Sequence, residues 1–423
     1  MKVAIVYSFK PSEWFSCTII NKNLREAYET VYDDIMYIDY TRKRTFEPDD
    51  IKKLAESDVE KIIFIDHQPT PIGFLDYLKK KYPDCFNRLE YTIHIFGDFP
   101  LFMPEWRTVF DLLDGMPLKF VTASEKQRKF ITKFIKQEEL ISVCPFPVDS
   151  KKFNFRIESR NEARAKFGLT DEFIFLYTGR LTFQKNITCL IESFCELDSQ
   201  ELLPPNSLLY IVGGVDSLGV PYLGANQLLG EYFRSIQKTL EKFPLSKDKV
   251  VLTGRVENDE LNTYYNLSDC YTSLSTYHDE DYGMSVAEAL CSGLPAVITN
   301  WAGYHSFQLE KHPEYCQLVS TDISRTGPTF DQEDYRNKLG SQDYLKYDRT
   351  EISKIYQQNF SIKACAEKLE NIQKSEAVPF QGTTGFMKRI TNEQFLRGIE
   401  VFKSEATREF NDLYFEAYDV YAG

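Results

Sequence analysis

The chain contains no Cys-x-x-Cys pair. Its nine cysteines (Cys17, Cys85, Cys144, Cys189, Cys195, Cys270, Cys291, Cys316 and Cys365) are scattered along 423 residues. That scatter argues against zinc ligation and against a disulfide framework, and the thiols read as small apolar residues. No apolar run reaches the roughly 18 residues that a membrane-spanning helix needs. There is no basic excess either: 50 Lys and Arg face 63 Asp and Glu, a formal charge of −13, most of it beyond residue 152. A general nucleic-acid binder needs a basic footprint, so that class is set aside. The opening Met1–Tyr7 run is short and strand-like and is followed by Lys10. It has neither the apolar stretch nor the small-residue cleavage site of a signal peptide, so the expected location is cytoplasmic.

What is present is the balance of a folded protein, 43% hydrophobic and 27% charged, at a length suited to two domains. Short β-rich apolar runs alternate with amphipathic stretches. Val3–Tyr7, Ile35–Ile38, Lys61–Ile65, Tyr91–Phe96, Lys119–Thr122 and Leu140–Pro145 read as one strand set. Phe173–Tyr177, Ser207–Val212, Lys249–Leu252, Cys270–Ser273 and Pro295–Thr299 read as a second. Helical patterns such as Ile19–Thr30, Glu125–Ile135, Thr188–Glu196, Gln227–Phe243 and Ser285–Cys291 lie between them. This rhythm predicts two α/β domains with parallel, doubly wound sheets. The expected division is 1–150, 151–373 and a helical tail 374–423 packing back on the first domain. The polar stretch Ser150–Arg164 would join the two domains, and a last helix would span about Asn392–Ala417. Ligands of open α/β sheets sit beyond the strands' carboxyl ends, so two such domains would face a shared cleft.

Two segments carry candidate chemistry. In Tyr177-Thr178-Gly179-Arg180-Leu181-Thr182-Phe183-Gln184-Lys185-Asn186 a strand ends at a glycine, and two cations follow five residues apart. Arg180 offers a bidentate fork for phosphate oxygens and Lys185 a compact charge. The helix starting near Asn186 adds an N-terminus that favours anions. Taken alone, the same residues fit a surface loop with two solvated cations. In the second segment, Cys270–Ser273 feeds an acidic loop with Glu280, then Tyr282, Gly283, Met284 and Ser285 at a helix start, then Glu288 eight positions after Glu280. Ionised carboxylates only accept hydrogen bonds and suit vicinal sugar hydroxyls. A solvated acidic loop beside an amphipathic helix fits as well.

Taken together, the segments resemble the retaining GT-B glycosyltransferases of glycosyltransferase family four. Gly179-Arg180-Leu181 with Lys185 is similar to that family's Gly-Arg-Leu…Lys signature, and Glu280 with Glu288 to its Glu-x7-Glu signature. Val212-Gly213-Gly214 resembles its strand-end glycine turn. Val251–Val256, including Arg255, resembles the stretch that meets the nucleotide base. The resemblance covers Phe173–Gly303 well and residues 1–150 weakly. It implies a GT-B architecture and transfer of a sugar from a nucleotide-diphosphate sugar to a glycan, lipid-linked or protein acceptor. Gly179, Arg180, Lys185, Arg255, Val256, Glu280, Tyr282, Gly283, Met284, Ser285 and Glu288 would bind the donor. Among them Arg180 and Lys185 would hold the diphosphate, Glu280 the sugar and Glu288 the ribose. His94, at an N-domain strand end, would stand near the donor sugar, and Asp98 near the acceptor.

The resemblance implies no cofactor or metal, since nothing is similar to an Asp-x-Asp site. The aromatic stretch Phe96–Phe110 leaves peripheral membrane contact open beside ordinary packing. Two departures stand out. The loop Ser8–Cys17 has no glycine where the family often has two, and Ala302-Gly303 stands where the family usually has Gly-Gly. A non-catalytic GT-B scaffold or partner subunit and a nucleotide-sugar epimerase are the competing readings.

Overall fold

The structure, a computed structural model, describes residues 2–10, 15–40, 46–66, 70–97, 99–215, 230–278, 280–325, 327–392 and 408–423. It divides into two units: Met1–Pro147 with Phe360–Arg397, and Val148–Asn359 with Gly398–Gly423. No described helix is long and apolar enough to cross a membrane.

The first unit runs β1 (Lys2–Tyr7), α1 (Phe15–Val31), β2 (Asp34–Asp39), α2 (Pro48–Glu56), β3 (Lys61–Phe64), α3 (Ile72–Lys81), α4 (Pro83–Arg88), β4 (Glu90–His94), α5 (Met103–Leu112), β5 (Pro117–Thr122), α6 (Glu125–Thr132) and β6 (Ile141–Val143). The strands lie parallel in the order β2-β1-β3-β4-β5-β6. Their interiors are apolar on both faces, because helices cover both sides of such a sheet. Phe99, Met103 and Trp106, from the aromatic stretch, are core residues, with Phe99 packed among Trp106, Phe130 and Phe134. Ordinary packing accounts for them.

The second unit runs α7 (Ile157–Lys166), β7 (Phe173–Thr178), α8 (Ile187–Ser199), β8 (Ser207–Val212), α9 (Glu231–Glu241), β9 (Val250–Gly254), α10 (Asn258–Leu267), β10 (Cys270–Ser273), α11 (Met284–Cys291), β11 (Ala296–Thr299) and β12 (Cys316–Val319). A hairpin, β13 (Thr321–Ser324) and β14 (Gly327–Phe330), follows, then α12 (Gln332–Gly340) and α13 (Arg349–Phe360). The main sheet is parallel throughout, in the order β9-β8-β7-β10-β11-β12. This is the Rossmann order, and its topological switch point lies between β7 and β10. Phe175, Ile191, Phe194, Leu209, Ile211 and Val297 lie in its core.

The chain then returns to the first unit with α14 (Ile362–Lys374), β15 (Val378–Pro379) and α15 (Gly385–Asn392). The expected boundary at 373 thus falls one helix too late. α14 lies on α1, and its last carbonyls are held by lysines of the first sheet: Lys61 Nζ donates to Gln373 O at 2.8 Å and Lys119 Nζ to Ser375 O at 2.5 Å. Cations at a helix C-terminus are favourable. The expected single tail is also divided. Its last part, α16 (Arg408–Tyr418), belongs to the second unit. Most of the helix expected over Asn392–Ala417 lies outside the described residues.

Ser150–Arg164 is not a plain linker either, because its second half is α7. From that helix Arg160 donates to Asn266 O, Leu267 O and Ser268 O, and Arg164 donates to Leu267 O, so both cap the C-terminus of α10. Arg349 joins them, donating to Tyr265 O, Asn266 O, Ser268 O and Ser292 O at 2.6–3.1 Å. Burial lowers its pKa to about 9, so it stays charged at neutral pH. Arg349→Met strands several buried carbonyls. It is expected to cost about 3 kcal/mol or more, a fall of roughly 6–12 °C in melting temperature readable by calorimetry.

Candidate active site

Three neighbouring strands of the second unit end in glycine. Gly179 N–H donates to Val212 O at 2.9 Å, and Gly213 N–H to Gly254 O at 3.0 Å. Gly213 has φ +153°, and a Cβ there would stand 1.8 Å from the Gly179 carbonyl oxygen, so no other residue fits. The chain can therefore leave the sheet edge tightly, and the β7–α8 loop starts directly at the switch point. Arg255 and Val256 follow β9, with the Arg255 Cβ 3.6 Å from the position a Cβ on Gly214 would take.

The β7–α8 and β10–α11 loops meet at this point. Asn186, left-handed at φ +53°, is the residue before α8; its Nδ2 donates to Leu274 O at 2.7 Å and to Thr276 Oγ1 at 3.1 Å. Thr276 N–H donates back to Gln184 O at 3.0 Å. This cross-tie brings Lys185 against Glu280, and the two form an ion pair whose side chains are 12% and 10% exposed. Ser275 Oγ donates to the same Glu280 oxygen at 2.5 Å. Burial lowers the Lys185 pKa despite the attraction of Glu280. Arg180 and Lys185 both lie over the Tyr277 ring, at 5.4 and 5.3 Å from its centroid.

Glu288 occupies a separate position on α11. Tyr265 OH donates to its Oε2 at 3.0 Å and shares a hydrogen bond of 2.9 Å with Thr178 Oγ1. Burial pushes the Glu288 carboxyl up to about 7. Gly283 precedes α11 at φ +105°, and a Cβ there would reach within 2.4 Å of the Tyr304 ring. Met284 and Ser285 open the helix, and Tyr271 OH donates to Ser285 Oγ at 2.9 Å. The first N–H groups of a helix have no intrahelical partner, so this end favours an anion.

The structure thus groups Gly179, Arg180, Lys185, Glu280, Gly283, Met284, Ser285 and Glu288 around one switch point. Tyr282 differs: its side chain is buried, with its ring 4.9 Å from that of Phe307, so it acts as packing and only its backbone borders the site. His94 lies in the first unit at the end of β4, 2% exposed, with Nε2 2.8 Å from Tyr28 OH. Burial lowers its pKa to about 3, so the ring is neutral at physiological pH and cannot serve there as a cationic acid. Asp98 lies outside the described residues, as do residues 11–14 of the first loop. In the described part of that loop, Ser8 N–H donates to Asp66 Oδ2 at 3.1 Å and Phe9 N–H to Asp39 Oδ1 at 3.0 Å. The first unit's own carboxylates hold these two N–H groups.

Ala302, at the first position of the expected Gly-Gly, adopts φ +48°, a left-handed conformation that glycine takes most readily. Gly303 is required in its place: a Cβ would stand 2.2 Å from Asp281 O. Sequence reasoning missed Ser275 and Tyr277. Neither spacing nor composition marks them, because both act through a loop whose path is set by the cross-tie to Asn186.

Residues 159–312 match the family described as glycosyl transferases group 1. The chain is 27% identical over 169 residues to a mannosylfructose-phosphate synthase of Agrobacterium fabrum, a stretch covering 40% of this chain and 34% of that protein. It is 25% identical over 169 residues to an alpha-monoglucosyldiacylglycerol synthase of Acholeplasma laidlawii, covering 39% of this chain and 37% of the relative. The matched stretch thus spans little more than a third of these curated relatives. A glycosyltransferase from Rickettsia africae superposes with a TM-score of 0.62 at 16% identity, covering 88% of this chain and 97% of that one. Anabaena HepE, solved in complex with UDP, superposes at 0.61 and 15% identity, covering 88% and 99%. These structural neighbours establish a GT-B-type α/β fold.

Proposed function

We propose that this chain, whose second unit carries a group 1 glycosyl transferase domain, is a retaining glycosyltransferase. It moves a sugar from a nucleotide-diphosphate sugar to a glycan, lipid-linked or protein acceptor. The observation that carries the reading is the buried Lys185–Glu280 pair beside Arg180 at the Rossmann switch point, with Glu288 held apart on α11. The UDP bound to HepE supports the same donor class, and the synthase names of the curated relatives support sugar transfer.

In this reading Arg180 and Lys185 grip the diphosphate, and their charge grows in value as the leaving group forms. Glu280 accepts hydrogen bonds from the sugar, and Glu288 from the ribose. Because Lys185 also pairs with Glu280, one ammonium would link recognition of the sugar to stabilisation of the leaving group. No metal is required, because cations and helix N-termini supply the positive charge. Retention follows from front-face attack, with the leaving phosphate taking the acceptor's proton.

The test is a thermal-shift and hydrolysis screen across UDP-, GDP- and ADP-sugars with EDTA present. The expected result is stabilisation by one nucleotide class and slow donor hydrolysis that survives EDTA. Arg180→Ala is expected to weaken nucleoside diphosphate binding about tenfold to a hundredfold, the value of a charge-assisted contact of roughly 1.5–3 kcal/mol. Binding without hydrolysis or transfer would favour a scaffold. Sugar interconversion without an acceptor would favour an epimerase.

A further inference from the structure

We propose that the C-terminal segment Arg408–Gly423 is a positioning element of the donor site, acting through Tyr421 on the loop that carries Glu280. The inference rests on the reading of Glu280 as a ligand for the donor sugar. The loop between β10 and α11 has no regular secondary structure over most of its length, so its shape depends on what packs against it. On the sheet side, Ser275 and Thr299 hold it: Thr299 Oγ1 donates to Ser275 O at 2.6 Å. On the other side lies the end of the chain.

Tyr421 OH donates to Asp281 Oδ1, the residue next to Glu280, at 3.2 Å. The Tyr421 ring meets the indole of Trp301 edge-on, with centroids 5.7 Å apart, and Trp301 Nε1 donates to Tyr277 O at 2.7 Å. Tyr277 is the ring beneath Arg180 and Lys185. Tyr418 packs 5.3 Å from Tyr421 and edge-on to His278 at 6.1 Å. The chain end is itself anchored: Thr321 N–H donates to Gly423 O at 2.8 Å, Gly423 N–H donates to Thr321 Oγ1 at 3.1 Å, and Arg325 pairs with Asp412. Tyr418, Tyr421, His278, Asp281 and Trp301 are all buried.

The segment therefore touches the loop at His278 and Asp281 and reaches Tyr277 through Trp301, all within three residues of Glu280. Among the described residues Glu288 has no such link; its carboxylate is bonded to Tyr265 and, through it, to Thr178. A displacement of about 1 Å in a ligand-orienting group is enough to cost a hundredfold in rate, so these contacts bear on chemistry as well as on folding. The physical consequence is selective at the Tyr421 hydroxyl: losing its bond to Asp281 should disturb the grip on the sugar, while the ring stays on Trp301 and keeps Tyr277 beneath Arg180 and Lys185.

The experiment compares parent protein, Tyr421→Phe, Asp281→Ala, the double variant, and a truncation after Ala417. Tyr421→Phe keeps the ring and deletes only the donor hydroxyl. It is expected to lower kcat/KM for donor hydrolysis about tenfold, with free nucleoside diphosphate affinity within about twofold and melting temperature within about 2 °C. The truncation is expected to lower hydrolysis about a hundredfold. Tyr421→Phe and Asp281→Ala should be non-additive, because each removes the hydrogen bond between the two side chains. Should the truncation fail to fold, the conservative variant carries the test. Unchanged donor kinetics in folded Tyr421→Phe, or equal loss of donor and free nucleoside diphosphate affinity, overturns the inference and leaves the proposed function standing. A parent that neither binds nor hydrolyses any nucleotide sugar overturns both.

Discussion

Replacing Lys185 with methionine should nearly abolish donor turnover and also destabilise the protein, and the two effects should separate on a second substitution. Lys185 and Glu280 form an ion pair with little solvent access, and Ser275 satisfies the same carboxylate oxygen. Removing the cation leaves a buried carboxylate with one hydroxyl donor. Breaking such a pair from one side costs about 3–5 kcal/mol, because the remaining charge keeps its desolvation penalty. The variant's denaturation midpoint should fall accordingly. Adding Glu280→Gln removes the stranded charge, and most of that stability should return.

Activity should not return with it. The ammonium is the compact charge nearest the position proposed for the leaving diphosphate. Loss of one preorganised donor to a developing anion typically costs 10²–10³ in rate. Donor hydrolysis should therefore fall by about that factor in Lys185→Met against the parent, and again in the double variant against Glu280→Gln alone. A single variant as stable as the parent would show that the pair carries no buried charge. A double variant as active as Glu280→Gln alone would show that Lys185 serves only to neutralise Glu280, and the diphosphate role would be lost.

The two sheets were legible because parallel strands covered on both faces read as unbroken apolar runs. Phe173–Tyr177 and Cys270–Ser273 are cases where the run and the strand nearly coincide. That Gly179, Arg180, Lys185 and Glu280 come together at one sheet edge was legible because the glycine ends a strand and the charged residues lie in the loops that follow β7 and β10. What sequence left hidden depends on distant partners. An amphipathic helix looks the same whichever unit it joins, and α14 is assigned by Lys61 and Lys119, about 250 to 310 residues earlier in the chain. The second half of Ser150–Arg164 looked like a charged linker because its arginines meet their carbonyl partners only once α10 is in place. His94 was marked by its place at a strand end, and burial against Tyr28 set its chemistry.

Glu288 should make nucleotide binding depend on pH, with a direction that follows from its burial. Its carboxyl is raised from an ordinary value of 4.5 to about 7, mainly by desolvation, and the Tyr265 hydroxyl opposes this only in part. Ribose hydroxyls donating to the carboxylate would favour the ionised form, so the complex should have a lower pKa than the free protein. Binding then expels a proton wherever the free carboxyl is protonated. Affinity for nucleoside diphosphate should weaken as pH falls below about 7, approaching tenfold per unit, or roughly twentyfold between about pH 7.5 and 5.5. The ligand's own phosphate titration enters equally for every variant, so Glu288→Gln is the control. Its affinity should be lower than the parent's at pH 7.5 and should lack the additional slope. Stability without ligand should move the other way. The folded state binds more protons than the unfolded state between about pH 4.5 and 7, so the carboxyl imposes a penalty that is absent below 4.5 and complete above 7. At about 1.36 kcal/mol per pKa unit the penalty is on the order of 3 kcal/mol. Glu288→Gln should accordingly melt higher than the parent at pH 8 while binding nucleotide more weakly. Glu280→Gln should not weaken free nucleoside diphosphate, because it leaves the Lys185 ammonium in place, and should depress donor hydrolysis, because the proposed partner of Glu280 is the sugar. Isothermal titration in two buffers of different ionisation enthalpy measures the released proton directly. If no proton is released near pH 6.5, or if Glu280→Gln weakens free nucleoside diphosphate as much as Glu288→Gln does, the division of labour between the two carboxylates fails.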